Sequence, residues 1–164
     1  MVIIFSLQNP FTMQHKDDLI SSCLFFLFFV GSLVYYYLAG KKILSIFPPL
    51  NSAKVIYRYK YASGYSTKSF FTKLRRICFK LDIVVTEQEL WIRTYPLAAY
   101  TAAWADIVHK IPFDAILHLT TKGKKITIDF IGEQFEHKQV KIKVKHPEMF
   151  LSAIKLNSPS AIFK

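Results

Sequence analysis

The sequence predicts a single N-terminal transmembrane helix followed by a mainly-β domain in the cytoplasm. Three observations carry this prediction. Residues 19–38 contain no charged residue and no proline. Residues 41–80 carry ten lysines or arginines and no acid. From residue 54 onward, short segments alternate between apolar and polar residues, as half-buried strands do.

The apolar run is long enough to cross a bilayer as a helix. Its twenty residues, at about 1.5 Å each, span roughly 30 Å, which is the thickness of the hydrocarbon core. Twelve of them are Leu, Ile, Val or Phe, and together they favour insertion by about 5 kcal/mol. We therefore expect a transmembrane helix over residues 19–40, after a short tail of residues 1–18.

Two other interpretations of the run agree less well with the sequence. A buried core helix would need more surrounding chain, because the run is apolar on all sides. A cleaved signal peptide usually has a shorter apolar region behind a basic start, whereas this run follows "HKDD". Translation can start at Met1 or at Met13, and the sequence does not decide between them.

Basic residues beside the run predict its orientation. Lys41, Lys42 and Lys54 follow it, whereas only Lys16 precedes it. Because basic flanks stay on the cytoplasmic side, we expect the N-terminus outside and the C-terminal domain in the cytoplasm. Three consecutive tyrosines would form an aromatic belt at the inner interface: Tyr35, Tyr36 and Tyr37.

Residues 41–53 are expected to form a stiff, basic linker, since Pro48 and Pro49 cannot continue a helix. Seven strand-like segments follow: "AKVIYRYKYA", "ICFKLDIVVT", "LWIRTY", "IVHKI", "AILHLTT", "KKITIDFI" and "KQVKIKVKH". In the first segment Val55, Tyr57, Tyr59 and Tyr61 are expected on one face, and the next stretch, "ASGYSTKS", is expected to be a loop. "PEMFLSAIKL" predicts a C-terminal helix that begins at a proline.

One segment does not fit a strand. In "PLAAYTAAWADI", Leu97, Tyr100, Trp104 and Ile107 recur at helical spacing. We expect a short inserted helix over part of residues 97–107. Its aromatic face either packs on the barrel or enters the bilayer interface.

The number and order of these segments resemble the pleckstrin-homology-like (PH-like) barrel in its bacterial, membrane-tethered form. Four stretches carry the resemblance: "LDIVVTEQELWIR", "HKIPFDAILHLT", "KKITIDF" and "HPEMFLSAIK". The resemblance covers residues 54–156, before a tail of residues 157–164. It implies an antiparallel barrel of about seven strands, capped by the C-terminal helix, at the bacterial inner membrane. A small OB-like barrel is the alternative.

The sequence contains no recognisable catalytic pattern. It has no G-x-S-x-G, no Gly-rich phosphate loop, no H-E-x-x-H and no C-x-x-C. His118 lies in an alternating strand and is expected to face solvent. We therefore expect neither an enzyme nor a bound cofactor or metal ion.

The leading hypothesis is a membrane-anchored, non-enzymatic scaffold that presents the domain to protein partners or to a second copy of the chain. The alternative is a module that senses anionic lipids through the basic block and residues 97–107. A nucleic-acid-binding module is a weaker alternative, because the tyrosines near the cations alternate as a buried face does. The candidate membrane-interface and lipid-contacting residues are Tyr35, Tyr36, Tyr37, Lys41, Lys42, Lys73, Arg75, Arg76, Trp104, Lys122, Lys124 and Lys125.

The phosphoinositide-binding mode of PH domains is not expected here. In that family the ligand contacts basic residues that flank the first hairpin turn. The turn "TEQEL", which we assign to an early hairpin, is acidic through Glu87 and Glu89. Any lipid contact would therefore come from other basic residues of the chain.

Overall fold

The computed structural model describes residues 10–74, 77–157 and 162–163. Helix α1 spans Pro10–Leu44 and includes the apolar run. Its segment Asp18–Leu44 is long and apolar enough to cross a membrane, and no part of its apolar window is buried. The helix ends four residues after the predicted end at residue 40, because Lys41 and Lys42 are good helix formers that also suit the negative end of the helix dipole.

The chain divides into two compact units, Met1–Tyr35 and Tyr36–Lys164. The described part of the first unit is helical. The second unit contains the last residues of α1, from 36 to 44, together with all the strands. We call residues 36–44 the helix foot.

The second unit is mainly β. Its strands are β1 (Val55–Ser66), β2 (Ile77–Thr86), β3 (Glu89–Thr94), β4 (His109–Pro112), β5 (Ile116–Lys122), β6 (Lys125–Ile131), β7 (His137–Lys143) and β8 (Ile162–Phe163). They form one sheet in the order β4-β3-β2-β1-β7-β6-β5-β8. All neighbours are antiparallel except β5 and β8. The prediction of a mainly antiparallel domain is therefore confirmed.

Three short α-helices and one 3₁₀ turn connect the strands. Helix α2 (Phe70–Leu74) lies between β1 and β2, and α3 (Pro96–Trp104) lies between β3 and β4. The 3₁₀ turn (Phe113–Ala115) precedes β5, and α4 (Pro147–Lys155) follows β7. Helix α4 confirms the predicted C-terminal helix.

The pairing pattern decides which turns lie at the same end of the sheet. Because β1 is antiparallel to both β2 and β7, the β1–β2 loop with α2 and the β6–β7 turn lie at one end. The β2–β3 and β5–β6 turns lie at the other end. Thr94, at the end of β3, pairs with Leu81 in the first half of β2. Helix α3 therefore begins in the half of the sheet that is nearer to α2. We call the end of the sheet that carries α2 the α2 end.

The core lies between the inner faces of the strands and α4. Leu81, Ile83 and Val85 alternate along β2 and are fully buried. Phe150 of α4 is also fully buried, and its ring lies 5.8 Å from the ring of Tyr57. The helix therefore closes the core beside the first strand.

The prediction for the first strand was wrong in its second half. Tyr61 has a positive φ of 67°, and the pairing with β2 shifts between Lys60 and Ala62. This bulge reverses the alternation, so Tyr61 is exposed while Ala62 is buried. The predicted loop that follows is instead the end of β1, because residues 63–66 pair with β7.

The segment after α1 does not leave the domain as a free, extended linker. Phe47 is only 7% exposed and packs with Val84 and Trp91 on the outer face of β2 and β3. The Phe47 and Trp91 rings lie 5.8 Å apart. The sequence does indicate that the outer face of β2 and β3 is covered, because unbroken apolar runs such as those around Val84 and Trp91 are typical of strands buried on both faces.

Candidate membrane-surface site

The helix foot packs against α3. The rings of Tyr36 and Tyr100 meet edge to face with centroids 5.5 Å apart. At Gly40 the contact is closer still, since a Cβ atom there would lie 1.8 Å from the carbonyl oxygen of Pro96. Because real Cβ contacts are never this short, only glycine allows the foot to approach α3 in this way.

Helix α3 turns its small residues inward and its large residues outward. Ala98, Ala99 and Ala102 are buried, whereas Leu97 and Trp104 are exposed. Ile107 lies beyond the helix and is buried in the core. The short inserted helix is therefore confirmed, but its predicted stripe of four large residues does not form one face.

Helix α2 exposes apolar side chains to solvent. Phe70, Phe71 and Leu74 are 69%, 72% and 66% exposed, and we call these three side chains the α2 patch. Lys73, one of the predicted lipid-contacting residues, is exposed beside them. The helix is held at its start by Ser69, whose amide donates to Thr72 Oγ1 at 2.9 Å.

A third exposed aromatic residue lies at the same end of the sheet. Phe135, in the β6–β7 turn, is 90% exposed and has a positive φ of 60°. Two separate turns at the α2 end therefore expose phenylalanine. Proteins seldom expose apolar residues in clusters without a binding role for that surface.

A cationic pocket of about 440 Å³ lies next to the helix foot, on the outward face of β1, β2 and β3. Its charged groups are four cations and one carboxylate, which give a net charge of +3: Arg58, Lys60, Lys80, Arg93 and Asp82. Its remaining wall consists of Leu44, Tyr61, Leu81, Thr94, Tyr95 and Pro96. The sequence placed Arg58 and Lys60 on the polar face of β1 but gave no sign that cations of three strands converge.

The cations of this pocket differ in their partners. Arg58 holds both carboxylate oxygens of Asp82, at 2.9 and 2.8 Å, and this contact raises the pKa of Arg58. Arg93 Nε lies 3.3 Å from Asp82 Oδ2 but is buried and has no hydrogen bond among the described residues. Lys60 and Lys80 are exposed and form no ion pair among the residues that the structure describes.

The structure brings some of the predicted site residues together and separates others. Four of them belong to the helix foot: Tyr36, Tyr37, Lys41 and Lys42. Tyr35 is an exposed residue of the first unit. Lys122, Lys124 and Lys125 surround the β5–β6 turn, at the end opposite α2. Arg75 and Arg76 lie outside the described residues.

A different polar cluster borders a cavity of about 660 Å³ between β4 and the β6–β7 turn. Asp106, with a positive φ of 51°, accepts hydrogen bonds from Ser66 Oγ at 3.2 Å and Lys138 Nζ at 3.3 Å. Lys138 also pairs with Glu136 at 2.9 Å. His109 Nε2 lies 2.8 Å from the Asp106 carbonyl oxygen, so this nitrogen carries the proton.

This cluster connects elements and is not arranged as a proton relay. His109 bonds to the Asp106 main chain, whereas Ser66 bonds to the Asp106 side chain. The serine hydroxyl therefore has no hydrogen bond to the imidazole that would have to activate it. Within residues 10–74, 77–157 and 162–163, no group of side chains is placed to hold a metal ion.

His118 is half-buried on β5, so the prediction that it faces solvent is confirmed only in part. Its Nδ1 atom is buried without a hydrogen-bond partner in the described part of the chain. Strand β8, which the sequence did not predict, pairs with β5 at His118. A two-residue strand carries too little periodicity to be recognised from sequence.

A scan against protein-family models and a search of curated proteins found no match to the chain.

Proposed function

We propose that the protein is a non-enzymatic module, anchored by α1 in a bacterial inner membrane, whose PH-like barrel contacts the anionic lipid surface on the cytoplasmic side. The observation that carries the proposal is the α2 patch. The patch consists of three exposed apolar side chains beside Lys73 at the α2 end of the sheet. Helix α3 begins in the half of the sheet nearer to this end, and the helix foot packs on α3. This is the combination expected of a segment that enters a lipid interface.

The strand order supports the PH-like part of the proposal. β1 pairs with β2 on one side and with β7 on the other, and a C-terminal helix covers the core. The resemblance drawn from the sequence implies an arrangement of this kind. An OB-like barrel has five strands, fewer than the seven strands that precede α4.

The size of the α2 patch is sufficient for a stable contact once the domain is tethered. Fully burying one Phe or Leu side chain stabilises by about 1.5–3 kcal/mol, and one lysine near an anionic surface adds about 1 kcal/mol. A tether confines the domain to the surface and raises its effective concentration there. Together these contributions favour the bound state without a specific lipid.

Hydrogen exchange on the full chain in lipid nanodiscs tests the proposal. The amides of residues 67–74 are expected to exchange more slowly in nanodiscs that contain phosphatidylglycerol than in neutral detergent. The variant Phe70→Ser/Phe71→Ser should lose this protection. The control Leu156→Ser, which changes an exposed apolar residue after α4, should keep it. Equal exchange in all three proteins would overturn the proposal.

A scaffold that binds a protein partner is the second candidate, and one observation favours it. Strand β4 pairs only with β3 among the described strands, so it has an open edge to which another chain can add a strand. The cavity beside Asp106 and His109 lies against this edge. A photo-crosslinker at Lys110 of the full chain in its native membrane should then capture one defined protein, or a second copy. Crosslinks to no protein would exclude this candidate.

A further inference from the structure

We infer that the cationic pocket binds the phosphate group of an anionic lipid headgroup from the leaflet beside the helix foot. The inference rests on the proposed membrane-surface function and adds a specific site to it. The site differs from the α2 patch in both residues and chemistry. The α2 patch offers apolar surface, whereas the pocket offers cations around a concave space.

The charge of the pocket selects an anion. Arg58 is already neutralised by its two hydrogen bonds to Asp82, so it acts mainly as a rigid wall. Lys60 and Lys80 retain uncompensated charges in the described part of the chain, and Arg93 adds a third. A phosphate group offers several oxygens to such a cluster, and each charge-assisted hydrogen bond is shorter and stronger than a neutral one.

The position of the pocket selects a lipid as the source of that phosphate. Leu44 lines the pocket and lies six residues after Leu38, the last residue of the apolar run, which is about 9 Å along a helix axis. The headgroup layer extends roughly 5–8 Å beyond the hydrocarbon core. Leu44 therefore lies at or just beyond the outer margin of that layer if α1 spans the bilayer as proposed.

The walls of the pocket fit an amphiphile better than a small soluble anion. Leu44, Tyr61, Tyr95 and Pro96 supply apolar or aromatic surface around the cations. A lipid headgroup carries a glycerol backbone and the beginnings of acyl chains, which such walls can cover. Free phosphate would use the cations but would leave this surface uncovered.

Titration calorimetry on the full chain in neutral detergent tests the inference. The ligands are dihexanoyl phosphatidylglycerol, dihexanoyl phosphatidylcholine, glycerol 3-phosphate and inorganic phosphate. We expect phosphatidylglycerol to bind most tightly. The variant Lys60→Gln/Lys80→Gln should bind it about tenfold or more weakly, since each lysine near an anionic lipid contributes on the order of a few-fold or more in affinity.

A matched control separates the pocket from net charge. Lys143→Gln/Lys145→Gln removes the same charge from exposed lysines at and beyond the end of β7 and should change the affinity by less than about twofold. Equal loss in both variants, or equal binding of phosphatidylcholine, would overturn the site. If glycerol 3-phosphate or inorganic phosphate binds as tightly as the lipid, the lipid source is wrong.

The outcome is also distinguishable from failure of the proposed function. Phe70→Ser/Phe71→Ser should keep the wild-type affinity for phosphatidylglycerol in micelles, because neither residue lines the pocket. If this variant loses nanodisc protection while Lys60→Gln/Lys80→Gln loses micellar lipid binding, both proposals stand. If the first variant keeps its nanodisc protection, the proposed membrane-surface function is wrong. If the second keeps its micellar lipid binding, the cationic pocket is not the lipid site.

Discussion

At the scale of single residues, Gly40 has the least room for a side chain of the glycines that the structure describes. Its missing side chain lets the helix foot contact Pro96. Gly31 lies in the same helix, and a Cβ atom added there would have no neighbour within 4 Å. The two glycines therefore form a natural pair for comparison. Their sequence surroundings alone do not distinguish them.

We expect Gly40→Ala to lower the free energy of unfolding by about 1–3 kcal/mol, as overpacking of a tight contact does. Gly31→Ala should leave it unchanged or raise it by up to about 1 kcal/mol, because alanine favours a helix. Unfolding of both variants in detergent, followed by circular dichroism, measures this. Equal stability of the two variants would show that the foot does not dock on α3.

His109 is a second residue whose surroundings predict a measurable effect. Burial lowers the pKa of its imidazole below the ordinary value, although the nearby Asp106 carboxylate acts in the opposite direction. The unfolded chain therefore takes up this proton at a higher pH than the folded protein does. The contribution of His109 to the free energy of unfolding is therefore fully present above about pH 6.5, and it is lost as the pH falls through that value towards the pKa of the folded protein.

His109→Gln should consequently make stability between pH 7 and pH 5 less dependent on pH. The exposed residue His137 provides the control, since His137→Gln should keep the wild-type slope. Urea unfolding at several pH values gives both slopes. A wild-type slope in His109→Gln would contradict the buried, neutral imidazole.

At the scale of elements, the segment between α1 and β1 packs on the outer face of β2 and β3 and is not a spacer. Phe47 lies against Trp91 and Val84. We expect Phe47→Ala to lower the free energy of unfolding by about 3 kcal/mol, the lower end for a buried phenylalanine, because the site is at the edge of the domain. Ile46→Ala, at an exposed neighbour, should cost less than about 0.5 kcal/mol. Urea unfolding followed by tryptophan fluorescence tests both values.

The elements also show how far the sequence predicts this structure. Strands with clear alternation, the helix opened by Pro147 and the short helix in "PLAAYTAAW" were all predictable, because each has its own periodicity. The bulge at Tyr61 was not, since it depends on the pairing of β1 with two partners. The cationic pocket was not predictable either, because its charges come from three strands whose register only the fold determines.

At the scale of the whole molecule, orientation in the membrane is a prediction of the basic block. Replacing Lys41, Lys42 and Lys54 by Glu should disturb the orientation of the anchor in fusion-reporter assays, because basic flanks remain in the cytoplasm. Lys54 also pairs with Glu87 in the folded domain. The double variant Lys41→Glu/Lys42→Glu therefore separates topology from that ion pair. Unchanged orientation would mean that the positive charge has another role.

Depth measurement by electron paramagnetic resonance tests most directly whether the α2 patch lies in the lipid interface. A spin label at Phe71→Cys, in a full chain whose Cys23 and Cys78 are replaced by serine, is studied in phosphatidylglycerol nanodiscs. A label at Lys124→Cys, in the turn at the opposite end of the sheet, is the control. We expect relaxation of the label at 71 to respond more to oxygen than to a water-soluble nickel complex, and the label at 124 to show the reverse. Equal access of the nickel complex to both labels would contradict this expectation.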